Sequence, residues 1–113
     1  MLTISHHHRY FLFRGIADMR KGFDGLSGLV RNEMKQDPLN GDVFLFFNRR
    51  SNQLKLLQWD RDGFAMYCKR LEKGTFELPQ NDEIIISAEL LSCILQGISL
   101  ASIRRRKRYV RAA

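Results

Sequence analysis

The C-terminal part of the chain carries the residue types best suited to binding phosphate. Arginine forms bidentate contacts with phosphate, and an aromatic ring beside it can stack on a base, as Tyr109 could. The basic run consists of Arg104, Arg105, Arg106, Lys107 and Arg108. We predict that this run contacts nucleic acid, with a merely solvated tail as the alternative.

Two further groups of cations lie inside the chain. Arg49 and Arg50 occupy a predicted hairpin tip, with more cations on the neighbouring strands at positions 55, 69 and 70. Arg20 and Lys21 lie at a predicted helix start, where free backbone N–H groups favour an anion. We predict that Arg20, Lys21, Arg49 and Arg50 also contact nucleic acid, and a solvated surface is again the alternative.

Acidic and histidine patterns could instead hold a metal ion. Asp60 and Asp62 resemble the carboxylate pairs that bind divalent ions in nucleases and transposases. Both precede Gly63 in a predicted tight turn, where aspartate bonds local N–H groups, so a structural role is preferred. The histidines at 6–8 have no Cys, Asp or Glu nearby in sequence to complete a site. With no catalytic triad order, phosphate loop or dinucleotide fingerprint, we predict no enzyme, no metal and no cofactor.

Charge and composition limit the class of protein. The 113 residues suit one domain, and the net charge is +7. Six cations and no anion lie at 104–111, so residues 1–103 are almost neutral. No apolar run approaches the roughly 20 residues that cross a bilayer, and no secretory signal is evident. We expect a cytoplasmic protein without a membrane partner, in which Cys68 and Cys93 are buried thiols.

Hydrophobic periodicity predicts the elements that must position these residues. Strands are expected near 10–13, 43–48, 53–59, 64–71 and 75–78, and helices near 22–34 and 87–96. Asp18 and Ser87 are expected to cap the helices, Gly97 to end the second, and Trp59 to be mostly buried. The predicted fold is α+β, an antiparallel meander of four to five strands with two packing helices. Residues 1–9 form a flexible start, 10–100 the domain, and 101–113 a basic flexible tail.

Several linked motifs resemble one known family. Residues 18–26 read DMRKGFDGL, 41–46 read GDVFLF, and 69–74 read KRLEKG, with Asn48-Arg49-Arg50 and a WDxDGF segment at 59–64 between them. In this order they resemble the TnpB accessory proteins of the insertion sequence 66 family of bacterial transposons. The resemblance covers about residues 10–97. It implies a protein encoded beside a separate, larger transposase that holds the acidic catalytic triad. The basic run at 104–111 departs from many family tails, so conclusions about it rest on charge.

Three functions follow as hypotheses. The leading one is a transposition accessory protein that binds DNA, the element-encoded transposase, or both, without catalysis of its own. The second is a protein-protein adaptor that docks on the transposase through its glycine-rich first helix and exposed aromatic residues, without touching DNA. The third is a metal-dependent nuclease subunit that uses Asp60 and Asp62.

Overall fold

A mixed sheet of five strands lies between two helices in the computed structural model, which describes residues 4–98, 100 and 108–109. The elements in chain order are β1 Tyr10–Leu12, α1 Phe23–Asn32, β2 Val43–Phe47, β3 Gln53–Asp60, β4 Gly63–Arg70, β5 Ile85–Ile86 and α2 Ala88–Gln96. The order across the sheet is β4-β3-β2-β1-β5. The predicted α+β class is confirmed. Within the described ranges, neither helix has the length and apolar character needed to span a membrane.

Strand β2 is the centre of the molecule, and all its side chains are buried. Phe44 and Phe46 face one side of the sheet and pack with Leu26 and Val30 of α1. Its alternate residues face the other side, where Leu91 and Ile94 of α2 cover them. The unbroken apolar run from 43 to 47 therefore follows from burial on both faces.

The second helix begins and ends at the predicted residues. The Ser87 hydroxyl accepts a hydrogen bond from the backbone N–H of Leu90 at 3.1 Å. Gly97 follows the last turn with a φ of 75°, which is a left-handed conformation that glycine adopts without a steric penalty. Local capping chemistry thus decides both ends of α2.

The first helix differs from its prediction at the cap. Helix α1 begins at Phe23 after Gly22, which provides no side-chain cap. The expected cap, Asp18, lies too early in the chain and instead accepts the backbone N–H of Arg20 at 2.9 Å. This local turn satisfies the aspartate before the helix starts.

One strand pairing also differs from the predicted antiparallel meander. Only β2, β3 and β4 form a meander, whereas β1 pairs with β2 in parallel, with Tyr10 opposite Val43. Helix α1 makes the crossover that a parallel connection requires. The outer partner of β1 is the short β5, Ile85–Ile86, which lies outside the predicted strands.

The predicted strand at 75–78 is wrong. Phe76 is buried with its ring at 5.5 Å from that of Phe47, and its N–H donates to the carbonyl of Ser51 at 2.6 Å. Phe76 thus fixes this segment against the β2–β3 turn, and residues 75–78 pair with none of the five strands. The aromatic residue that made residues 75–78 resemble a strand, Phe76, is there to pack into the core.

The doubly covered strand gives the first prediction. Phe44→Ala should lower the free energy of unfolding by about 3–5 kcal/mol, because Phe44 is fully buried and its ring stacks on Phe11. Leu39→Ala is the control, since Leu39 is 44% exposed and should shift stability little. Urea unfolding of both variants tests this, and similar midpoints would contradict the close packing of Phe44 beneath α1.

Candidate nucleic-acid interface

The turn between β2 and β3 holds two predicted site residues at its tip. The side-chain oxygen of Asn48 accepts the backbone N–H groups of Asn52 and Gln53, each at 3.0 Å. The same side chain donates to the Asn52 side chain at 2.7 Å. Arg49 and Arg50 are exposed at the tip of this turn, whose shape is held by the hydrogen bonds of the Asn48 side chain.

The segment before α1 lies at the same end of the sheet. The N–H of Ala17 donates to the carbonyl of Phe47 at 3.0 Å, which joins the segment to the last residue of β2. The ammonium group of Lys55 on β3 donates to the carbonyl of Lys21 at 2.8 Å. Two basic groups that are far apart in sequence are thus neighbours in the fold.

Arg20 is exposed but already paired. Its guanidinium group donates to both carboxylate oxygens of Asp18, at 3.0 Å and 2.8 Å. These hydrogen bonds lower the pKa of Asp18 from 3.8 to about 2. Asp18 is therefore ionised at neutral pH and offsets the positive charge of Arg20.

The last residues of β4 lie at the same end of the sheet as the β2–β3 turn and the segment before α1. Arg70 pairs with Gln53 across the two strands, and Leu71 donates its N–H to the carbonyl of Asn52 at 2.7 Å. Arg70 also forms an ion pair with Glu72 at 3.0 Å. Lys69 and Lys73 are exposed on either side of that pair.

Arg108 belongs to the body of the protein. Its guanidinium group donates to the carbonyl of Thr75 at 3.0 Å and lies 5.4 Å from the ring centre of Phe76. It also donates to the carbonyl of Ile94 at 3.4 Å. The structure thus gives Arg108 a packing role beside its predicted role in phosphate binding. The predicted site residues Arg104, Arg105, Arg106 and Lys107 lie outside the described residues.

Two depressions lie among these cations. A groove of about 510 Å³ is lined by residues 69–73, 95, 96, 108 and 109, and Tyr109 is 63% exposed at its border. A second, of about 400 Å³, lies on the α1 side of the sheet and includes Met19, Lys55 and Cys68.

The two cysteines differ from their predicted burial. Cys68 is exposed on β4, which is an edge strand of the sheet. Cys93 on α2 is only half-buried. Both are free thiols in the structure.

We call the collected cations the basic end. Its members are Arg20, Lys21, Arg49, Arg50, Lys55, Lys69, Arg70, Lys73 and Arg108. Among the described residues, the ion pairs at this end are those of Asp18 with Arg20 and Glu72 with Arg70. No signal in the sequence points to Lys73, because its place beside the groove depends on the packing of the 71–76 segment.

The acidic turn lies at the opposite end of β3 and β4. Asp60 pairs with Gly63 across a turn formed by Arg61 and Asp62, as predicted, and the N–H of Asp62 donates to the carbonyl of Asp60 at 2.6 Å. Over residues 4–98, 100 and 108–109, no three His, Cys, Asp or Glu side chains come together in a way that could hold a metal ion. The two aspartates of this turn, with Arg61 between them, therefore lie away from the basic end.

The fold and its charged end define a small α+β domain with a polycationic surface. Comparison with known proteins adds the family: the model described as IS66 Orf2 like protein matches residues 8–105, and the chain belongs to that family. Two relatives from Sinorhizobium fredii share the similarity. The uncharacterized protein y4hO is 36% identical over 87% of each chain, and the uncharacterized protein y4jC is 32% identical over 80% of this chain and 79% of its own. No solved structure matches. Family membership supports an accessory role in transposition.

The Asp18–Arg20 pair gives the second prediction. Asp18→Asn keeps an oxygen for the Arg20 N–H but removes the charge, so duplex DNA should bind more tightly and the salt slope should steepen by up to about one unit. The pair's contribution to stability is present above pH 3.8 and is lost as the pH falls through about 2. Fluorescence anisotropy across a salt series measures the slope, and weaker binding by the variant would contradict a phosphate site at Arg20.

Arg108 gives the third prediction. Arg108→Ala should lower the free energy of unfolding by about 1–3 kcal/mol, because it removes charged hydrogen bonds to partly buried carbonyl groups. Arg49→Ala is the matched control, since its side chain is exposed at a turn tip. Thermal unfolding compares the two, and an unchanged Arg108→Ala midpoint would show that this side chain does not hold the body together.

Proposed function

We propose that this protein is a non-catalytic accessory protein of transposition that binds duplex DNA through its basic end. The observation that carries the proposal is the convergence of cations from separate chain segments on one end of the sheet. The bond from Ala17 to Phe47 and the bond from Lys55 to Lys21 bring those segments together. The cations of these segments therefore lie on one surface, where several of them could meet neighbouring phosphates.

The arrangement suits a phosphate backbone better than a single anion. The cations are spread over three segments of the chain, which are the turn at 49–50, the strand end at 69–70 and the segment at 20–21. A duplex presents a charge about every 1.7 Å along its axis, so a broad cationic surface gains by displacing several counterions at once. The basic residues at 104–107 would add their charge to this surface.

The element-encoded transposase is the second proposed partner. An accessory protein that holds DNA by its phosphates positions the duplex without reading its bases. Sequence choice and strand chemistry would then be left to the transposase. In the alternative adaptor function, the protein docks on the transposase and the cations only keep it soluble.

Salt dependence gives the fourth prediction. Replacing Arg49 and Arg50 by Gln should flatten the plot of log affinity against log salt by up to about 2 units, because each phosphate that is neutralised accounts for about 0.9 units of slope. Replacing residues 104–107 by Gln should flatten it by roughly 3–4 units by the same rule. The second variant retains Arg108 and its hydrogen bond to Thr75, so the body of the protein should stay folded.

The control removes the same charge elsewhere. Arg31 and Lys35 lie in the last turn of α1 and on the connection to the start of β2, away from the β2–β3 turn. Replacing both by Gln should leave the slope almost unchanged. Equal slopes for all three variants would overturn the proposed interface, and binding to purified transposase without any DNA binding would favour the adaptor function.

A further inference from the structure

We infer that a surface formed by Phe23, Trp59 and Phe64, here called the aromatic platform, binds unpaired bases of single-stranded DNA. The inference deepens the proposed function and rests on it, because it names a second form of the same ligand. It concerns the face of the sheet that α1 partly covers, beside the basic end.

The three rings form one connected group. Trp59 and Phe64 lie opposite each other on β3 and β4, and their ring centres are 5.1 Å apart at an interplanar angle of 82°. Phe23, the first residue of α1, lies nearly parallel to Phe64, with 6.4 Å between ring centres and an angle of 12°. Helix and sheet together therefore fix the orientation of the rings.

The platform is not sealed into the core. Phe23 is 46% exposed. Trp59 and Phe64 are only partly exposed, so the prediction of a mostly buried Trp59 is confirmed, while part of each ring still reaches the surface. Because β4 is the outermost strand, α1 does not extend over the whole of this face. Aromatic faces that remain open to solvent can stack with any base.

Charge sets the path that a strand would follow. Lys21 precedes Phe23 by two residues, and Lys55 lies on the same face of β3 as Trp59, roughly 13 Å along the strand. The exposed Asp24 follows Phe23, and the exposed Asp60 and Asp62, with Arg61 between them, lie in the turn that joins Trp59 to Phe64, so the net charge beside the rings is negative there. Phosphates would therefore lie on the lysine side, towards the basic end, with the bases turned onto the rings.

This asymmetry favours a single strand over a duplex. In a duplex each base face is covered by its neighbours, and two phosphate backbones would have to approach the platform, one of them near the aspartates. A single strand can turn its bases away from its one backbone. The occupant that fits the lysine side and the open rings together is thus single-stranded DNA.

The sole tryptophan provides a direct readout, since Trp59 is part of the platform. Titration of the full chain with a thymidine oligonucleotide should quench Trp59 fluorescence, whereas the matched duplex should quench it little while still binding. Phe23→Leu keeps an apolar side chain but removes the ring. It should weaken single-strand binding roughly tenfold, the size expected for one stacked base, and leave duplex affinity unchanged.

Leu39→Ser is the matched control, because Leu39 is as exposed as Phe23 but lies outside the platform. Its single-strand affinity should equal that of the unchanged chain, and thermal unfolding confirms that all variants are folded. Duplex binding without quenching by the oligonucleotide, or equal single-strand affinity for Phe23→Leu and the unchanged chain, would overturn the inference and leave the proposed function standing. Absence of binding to either form of DNA would instead overturn the proposed function. If Phe23→Leu binds both forms of DNA as tightly as the unchanged chain but no longer binds transposase, the platform is a protein contact and the inference is overturned.

Discussion

Burial of β2 on both faces is the constraint on which the rest of the structure depends. A strand of five apolar residues can exclude water only if helices cover both sides and strands flank both edges. The chain meets this need with α1 on one face, α2 on the other, and β1 and β3 at the edges. Asp42, just before this strand, has a buried carboxylate. Its negative charge is neutralised by an ion pair with Arg9 at 2.7 Å.

The parallel pairing of β1 with β2 also explains why the cations come together. Two parallel strands end at the same side of a sheet, so the segment after Leu12 and the turn after Phe47 leave the core as neighbours. The cations at 20–21 follow the first strand, and those at 49–50 follow the second. Had β1 run antiparallel to β2, these pairs would lie at opposite ends of the molecule. The packing of the core thus assembles the proposed interface.

Features with a local physical cause could be predicted from the sequence. The hairpin turns, the apolar run of β2 and the caps of α2 all follow from a few adjacent residues, and each lies close to its predicted place. Features decided by distant segments could not. The parallel partner of β1, the packing of Phe76 against the β2–β3 turn, and the hydrogen bond of Arg108 to Thr75 depend on tertiary contacts. The cations could be recognised from sequence, but their convergence could not.

The outer position of β4 has a further consequence for function. Strand β4 has a neighbouring strand, β3, on one edge only, and α1 covers its face only in part. Phe64, Met66 and Cys68 are therefore more exposed to solvent than the residues of β2. A surface that served solubility alone would carry polar residues there. The chain instead keeps aromatic rings beside lysines at one border and aspartates at the others. Phe64 also packs against the buried residues beneath α1, whereas Phe23 is 46% exposed, so core packing accounts for part of this group and leaves an exposed aromatic ring beside the lysines.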